Sequence, residues 1–207
     1  MQANVYIDGF NLYYGALQGT AYRWLDLAQL CQELLPRHTI HHVRYFTARI
    51  RPRADDPQKA IRQQTYLRAL ESLPTLSIHY GHFLDKRVRM PLAQPPTQGP
   101  RTVEVIRTDE KGSDVNLATY LLVDAFRGDY EMAAVISNDS DLTLPIAMVR
   151  TELHRDVGVF NPQRISSRAL QGVAAFYRPV REPVLRASQF PPVLQDQHGR
   201  ITKPRGW

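Results

Sequence analysis

Four aspartates occupy positions from which they could do chemistry together. Asp8 follows the short apolar run Asn4–Ile7 and opens an Asp-Gly turn. Asp139 and Asp141 lie in Ser137-Asn138-Asp139-Ser140-Asp141, directly after the apolar run Met132–Ile136. Asp114 opens a segment whose apolar residues recur three and four apart. A lone Asp-Gly is usually a turn, and an acid in a first helical turn is usually a partner of the helix dipole. The Ser-Asn-Asp-Ser-Asp run says more, because capping one helix needs one such residue rather than five. Carboxylates crowded together repel, and a divalent cation removes the conflict. A donor set of oxygens alone suits Mg²⁺ or Mn²⁺ rather than zinc. Such an ion polarises a phosphoryl oxygen and acidifies a bound water, so a phosphodiester is the expected substrate.

For these acids to meet, distant segments must share one rim. Asn4–Ile7, His41–Ala48, Thr75–Tyr80, Met132–Ile136 and Asp156–Phe160 read as strands. Leu25–Leu35, Asp56–Leu73, 112–126 and Asp141–Val149 carry helical spacing, and Pro36 ends the first. Strands alternating with helices, the best of them apolar throughout, predict an α/β fold with a central, mainly parallel sheet covered on both faces. In such sheets ligands bind beyond the carboxyl ends of the strands, where the strand order reverses. If the first strand neighbours Met132–Ile136 there, Asp8, Asp139 and Asp141 share a crevice. A helix starting at that rim, with Ser113 as its cap, aims Asp114 into it.

Two basic clusters would share the rim. Arg49, Arg51 and Arg53 follow the second strand, and Lys86, Arg87 and Arg89 follow the third. They read equally as holders of an RNA backbone or as solvated loop charges. Phe10, Tyr13 and Tyr14 could stack on unpaired bases, although core packing is the commoner use of such residues. His41-His42, His79 and His82 lack the spacing of a metal site and read as structural. Cys31 lies on an apolar stripe as a buried thiol. Ser137 and Ser140 have no nucleophile context.

Residues 83–107 break the pattern. PLAQPPTQGP (91–100) is a proline-rich loop between two extended arms, and the whole reads as an insertion. The domain is expected over 1–177, with a basic, proline-rich extension at 178–207 that includes a small hairpin around His198-Gly199. The net charge of +6 favours an anionic partner, though the extension, with six Lys or Arg against two acids, supplies most of it. One cysteine excludes an internal disulfide and a four-cysteine zinc site, which fits a reducing, cytoplasmic home. MQANVYIDGF lacks the features of a secretory signal, and no apolar run is long enough to cross a bilayer.

YIDGFNLYYG (6–15), EKGSDVNLATYLLVDAF (110–126) and AVISNDSDLTLPI (134–146) resemble, in order and spacing, the three blocks of the NYN domain, a branch of the PIN-like nucleases. The resemblance covers roughly 3–161. It implies a PIN-like three-layer α/β/α sandwich and metal-dependent ribonuclease activity, with Asp8, Asp114, Asp139 and Asp141 at the metal. Asn11 matches the polar partner of the first aspartate, and Lys111 a lysine placed to meet phosphate. Ser137 and Asn138 are expected to support the site. Two departures stand out: Asn138 replaces a frequent glycine, and Leu153-His154-Arg155 replaces a glycine-containing turn before the last strand. RNA is the expected partner. A homodimer, and a protein partner held through the extension, stay open. Rival readings are a non-catalytic RNA-binding module of the same fold and a toxin-like NYN protein governed by a partner. A phosphatase with an aspartyl nucleophile would want Asp-x-Asp after the first strand, where this chain has Asp8-Gly9-Phe10.

Overall fold

Every residue of β1 (Gln2–Asp8) after Gln2 is buried. Val5 and Ile7 join one apolar cluster and Tyr6 another, so the strand needs cover on both faces. A computed structural model of the chain, which describes residues 1–52 and 56–207, supplies that cover. The strands that follow are β2 (Thr39–Thr47), β3 (Leu76–Tyr80), β4 (His82–Pro91), β5 (Thr102–Lys111), β6 (Met132–Ile136), β7 (Asp156–Asn161) and β8 (Phe176–Pro179). Six of them form one parallel sheet in the order β3-β2-β1-β6-β7-β8. This is the expected α/β architecture with a central parallel sheet.

Between the strands run α1 (Gly9–Leu12), α2 (Leu27–Leu34), α3 (Lys59–Glu71), α4 (Ser113–Arg127), α5 (Thr143–Thr151), α6 (Arg168–Val173) and α7 (Glu182–Ala187). Leu27 and Leu30 of α2, Leu70 of α3 and Leu185 of α7 bury against one face of the sheet. Leu117 and Leu121 of α4, Ile146 of α5 and Leu170 of α6 bury against the other. Each such side chain contributes about 1.5–3 kcal/mol by leaving water. Asp26 starts α2 by accepting from the amides of Ala28 and Gln29 at 2.9 and 3.0 Å.

Two helix starts differ from the sequence reading. Ser113 does not cap α4: the cap is Gly112, with φ 99°, and the buried Ser113 hydroxyl has no partner among the described residues. Only glycine adopts that left-handed backbone without strain. The helix expected from Asp141 begins instead as a short 3-10 turn, Ser140–Leu142, capped by Asp139, and becomes α5 at Thr143.

The two arms of the expected insertion pair with each other. β4 and β5 make an antiparallel ribbon in unbroken register from His82↔Lys111 to Pro91↔Thr102, with the proline-rich loop at its tip. After β8 the chain returns to the α2/α3 side, where β9 (Val193–Asp196) and β10 (Gly199–Thr202) form the hairpin expected around His198-Gly199. Phe190 and Ile201 enter the core there, and Arg68 of α3 grips Asp196 through two bonds of 2.8 and 2.6 Å. Among the described residues, no helix is long and apolar enough to cross a membrane.

Candidate functional site

The strand order reverses between β1 and β6, so a crevice opens beyond their carboxyl ends. Asp8 ends β1 and caps α1. Its Oδ1 accepts from the Asn11 amide at 2.9 Å, and its Oδ2 accepts from Ser137 Oγ at 2.9 Å. The next residue must be glycine: a Cβ there would stand 2.7 Å from the Phe46 carbonyl and 2.8 Å from the Tyr45 ring. α1 then widens into a π turn, Tyr13–Leu17, a form that recurs at functional sites.

Across the crevice, the loop after β6 is tied residue by residue. Ser137 Oγ accepts from the Asp139 amide at 3.1 Å, and Asp139 Oδ1 accepts from the Asp141 amide at 3.0 Å. Asn138 donates its amide to Asn11 Oδ1 at 3.1 Å and its side-chain Nδ2 to the Ile165 carbonyl at 2.8 Å. Its Oδ1 accepts from Tyr177 Oη at 2.6 Å. The asparagine that departs from the family pattern therefore fastens this loop to the segment after β7 and to β8. The second departure also shows in the backbone: His154 alone among described non-glycine residues has a positive φ, 52°, where a glycine would sit unstrained.

Asp8, Asp114 and Asp139 line one cleft of about 320 Å³, together with Asn11 and Glu110. Asp141 is exposed at the rim. Glu110, not singled out by the sequence reading, lines the cleft, and its neighbour Lys111 does not. In β5, Glu110 faces the cleft with Thr108, while Lys111 is exposed and lines no part of it. The only signal was the period-two alternation of the strand, which puts neighbouring residues on opposite faces.

The electrostatics follow from the crowding. Burial pushes the Asp8 carboxyl up, against the pull of its hydrogen bonds to Asn11 and Ser137. Asp114 is pushed from 3.8 to about 6, first by desolvation, then by the charges of Asp8, Asp139, Glu110 and Asp141. The donors are hard oxygens, which fits Mg²⁺ or Mn²⁺. Among the described residues, no three acids, histidines or cysteines stand together as a finished cage. A carboxylate has about four acceptor positions, so the bonds to Asn11, Ser137 and Asp141 leave Asp8 and Asp139 room to bind a cation.

None of the described basic residues expected at the site is among those that line this cleft. Arg49 lies over the Tyr80 ring at 4.8 Å, and Arg51 pairs with Asp85 of the ribbon at 2.6 Å. Arg87 and Arg89 share the ribbon face of Phe83 and Thr108, which line the cleft, whereas Lys86 and its register partner Arg107 lie on the opposite face. Arg53 lies outside the described residues. His42 and His79 share Ser77 Oγ at 2.8 and 2.9 Å, away from the acids. Cys31 is fully buried.

Comparison with known proteins gives three findings. A solved structure of a protein of unknown function from Vibrio parahaemolyticus RIMD 2210633 superposes with a TM-score of 0.54 at 17% identity, covering 87% of this chain and 93% of that one. It speaks for the fold alone. The curated protein 6-hydroxy-3-succinoylpyridine 3-monooxygenase HspA, from Pseudomonas putida (strain DSM 28022 / S16), is 29% identical over 237 aligned residues, covering 100% of this chain and 75% of that protein. The NYN domain family matches residues 2–179, a span that holds the whole six-stranded sheet and all four aspartates. The chain belongs to the NYN domain family.

Proposed function

We propose that this protein is a divalent-metal-dependent endoribonuclease that hydrolyses RNA phosphodiester bonds at the aspartate cleft. The observation that carries the reading is the convergence of Asp8, Asp114 and Asp139 with Glu110 in one cleft where the strand order reverses. Membership of a family with a nuclease-like fold supports it. Asp8, Asp114 and Asp139, with Asp141 from the rim, would hold one or two Mg²⁺ or Mn²⁺ ions, which supply Lewis acidity and an acidified water when bound.

The chain's own residues do the rest. Ser137 and the Asn11 amide orient Asp8, and the Asn11 side chain locks the Asp139 loop to α1. Arg87 and Arg89 would extend the binding surface along the ribbon face that carries Phe83 and Thr108, and Arg51, held at Asp85 of that face, and Arg49 would add to it. Each can meet a backbone phosphate without reading sequence. The lone cysteine favours a cytoplasmic setting.

The test is cleavage of single-stranded RNA in Mg²⁺ or Mn²⁺. Asp139→Asn is expected to lose roughly a hundred-fold or more in rate, the scale seen when one electrostatic element of an active site is removed. EDTA is expected to abolish cleavage. Undiminished cleavage in both arms rejects the mechanism. A second reading, oxygenation of a small aromatic acid, follows the name of the curated relative and is favoured by an aromatic-walled cavity beside the cleft. Turnover of such an acid with O₂ and a reductant, with RNA left intact, selects it.

A further inference from the structure

Next to the acid cleft, on the α2/α3 side of the sheet, is a second cavity of about 250 Å³. Phe10, Tyr14, Tyr45, Tyr66 and Trp207 supply its aromatic walls. Phe10 and Tyr14 line both this cavity and the acid cleft, and their rings stack with centroids 6.5 Å apart at 18°. They are thus the partition between the two spaces. On the far wall, Trp207 packs on Tyr66 with centroids 5.5 Å apart, under the Arg23 guanidinium at 6.0 Å. Arg23 also donates to the Gly206 carbonyl, which fixes the indole in place.

This cavity is not a packing gap. Tyr14 is 55% exposed, and Arg23, Lys59 and Arg62 line the cavity against one acid, Asp56, so it is open to water and the charge of its lining is net positive. Its volume lies just below the roughly 300–1,000 Å³ of sites that enclose drug-sized molecules, so it suits a single ring system. Aromatic faces hold any nucleobase by stacking, and cations attract the strand that carries it. Readout of base edges is limited. Gln63 uses its amide on the Ile50 amide and the Ala48 carbonyl, both at 2.9 Å, and Arg62 is paired with Asp56.

We propose that this cavity receives one unstacked nucleobase of an RNA strand whose backbone lies at Asp8, Asp114 and Asp139, and that it does so with little base preference. The proposal rests on the ribonuclease reading and adds the position of the base next to the cut.

The experiment titrates the full chain, in EDTA, with two short single-stranded RNAs and follows tryptophan fluorescence. One RNA carries every base, and the other carries a ribose without a base at successive positions. Trp24 is fully buried and lines no part of the cavity, but its ring lies 6.5 Å from Trp207, so the part of the change that disappears in Trp207→Phe is the part that reports the indole on the wall. Quenching by the complete strand, weakened roughly five- to hundred-fold when one fixed position lacks its base, is the expected result. Trp207→Ala should weaken binding to a similar degree, and Trp207→Phe should keep binding while losing the signal. Equal binding of both strands, or a Trp207→Ala variant that binds like wild type, overturns the proposal. So does quenching by a small aromatic acid but by no RNA. Cleavage in Mn²⁺ is read on the same strands. Cutting without base dependence leaves the ribonuclease reading standing and removes the pocket. Base-dependent quenching without cutting does the reverse.

Discussion

Asp114 gives the acid cleft its pH dependence. Its folded carboxyl, at about 6, lies above the ordinary 3.8, so the fold favours the protonated form. Without metal, the folded protein holds more protons than the unfolded chain between about 4 and 6, and stability falls as pH rises through that window. Thermal melts in EDTA across this range should show the decline, and Asp114→Asn should reduce it, leaving the part that comes from Asp8, whose carboxyl burial also pushes up. A wild-type midpoint that climbs over the same interval would count against the crowding. If Mn²⁺ binds in the cleft as proposed, it would take the proton's place, and cleavage should rise through the same window. Asp8, Asp114 and Asp139 were legible in the sequence because each sits at the punctuation between an apolar run and a turn. Glu110 was not. Its place depends on which face of β5 it occupies, and one residue of register decides between it and Lys111.

Among the elements, one buried fastening lies away from the cleft. Asp124 of α4, 1% exposed, accepts from Arg44 of β2 at 2.7 and 3.0 Å and from Tyr6 of β1 at 2.7 Å. Arg44 also stacks over Tyr120 at 4.5 Å, joining one helix to two strands. His79, pushed down to about 4 by burial and then by the Arg44 charge, stays neutral beside it. Asp124→Ala strands a largely buried guanidinium and should cost about 3–5 kcal/mol in urea unfolding. A loss below about 1 kcal/mol would show the pair to be solvated. His154→Gly should act in the opposite direction, adding up to about 1 kcal/mol by relieving the positive φ. β1, β6 and β7 were readable from nearly continuous apolar runs, and β2 and β3 from β-branched and aromatic residues set among polar ones. β8 was not, because Phe176–Pro179 is short and only half-buried. Asp124 gave no signal either. It interrupts the apolar stripe of α4, and its partner lies 80 residues away in the chain.

For the whole molecule, the ribbon and the tail decide how far the site extends. The sequence showed two extended arms but not their pairing, since the loop between them is much longer than a tight hairpin turn. Arg87 and Arg89 should act together in holding backbone phosphates. Replacing both with alanine should weaken binding to all single-stranded RNAs alike and reduce the slope of log affinity against log salt by about 0.7 for each phosphate no longer neutralised. Binding measured at several salt concentrations checks this, and an unchanged slope removes the ribbon from the RNA path. The tail belongs to the core through Leu185, Phe190 and Ile201, and it brings Trp207 to the cavity wall.

The pairing of β1 with β6 also bears on synthesis. Ala3 aligns with Met132, so the centre of the sheet joins the start of the chain to a segment made far later. Contacts of such long sequence separation form slowly. A chain leaving the ribosome therefore carries Asp8 well before Asp114 and Asp139 emerge to share its cleft. The acid cleft is therefore assembled only when the two halves of the sheet meet.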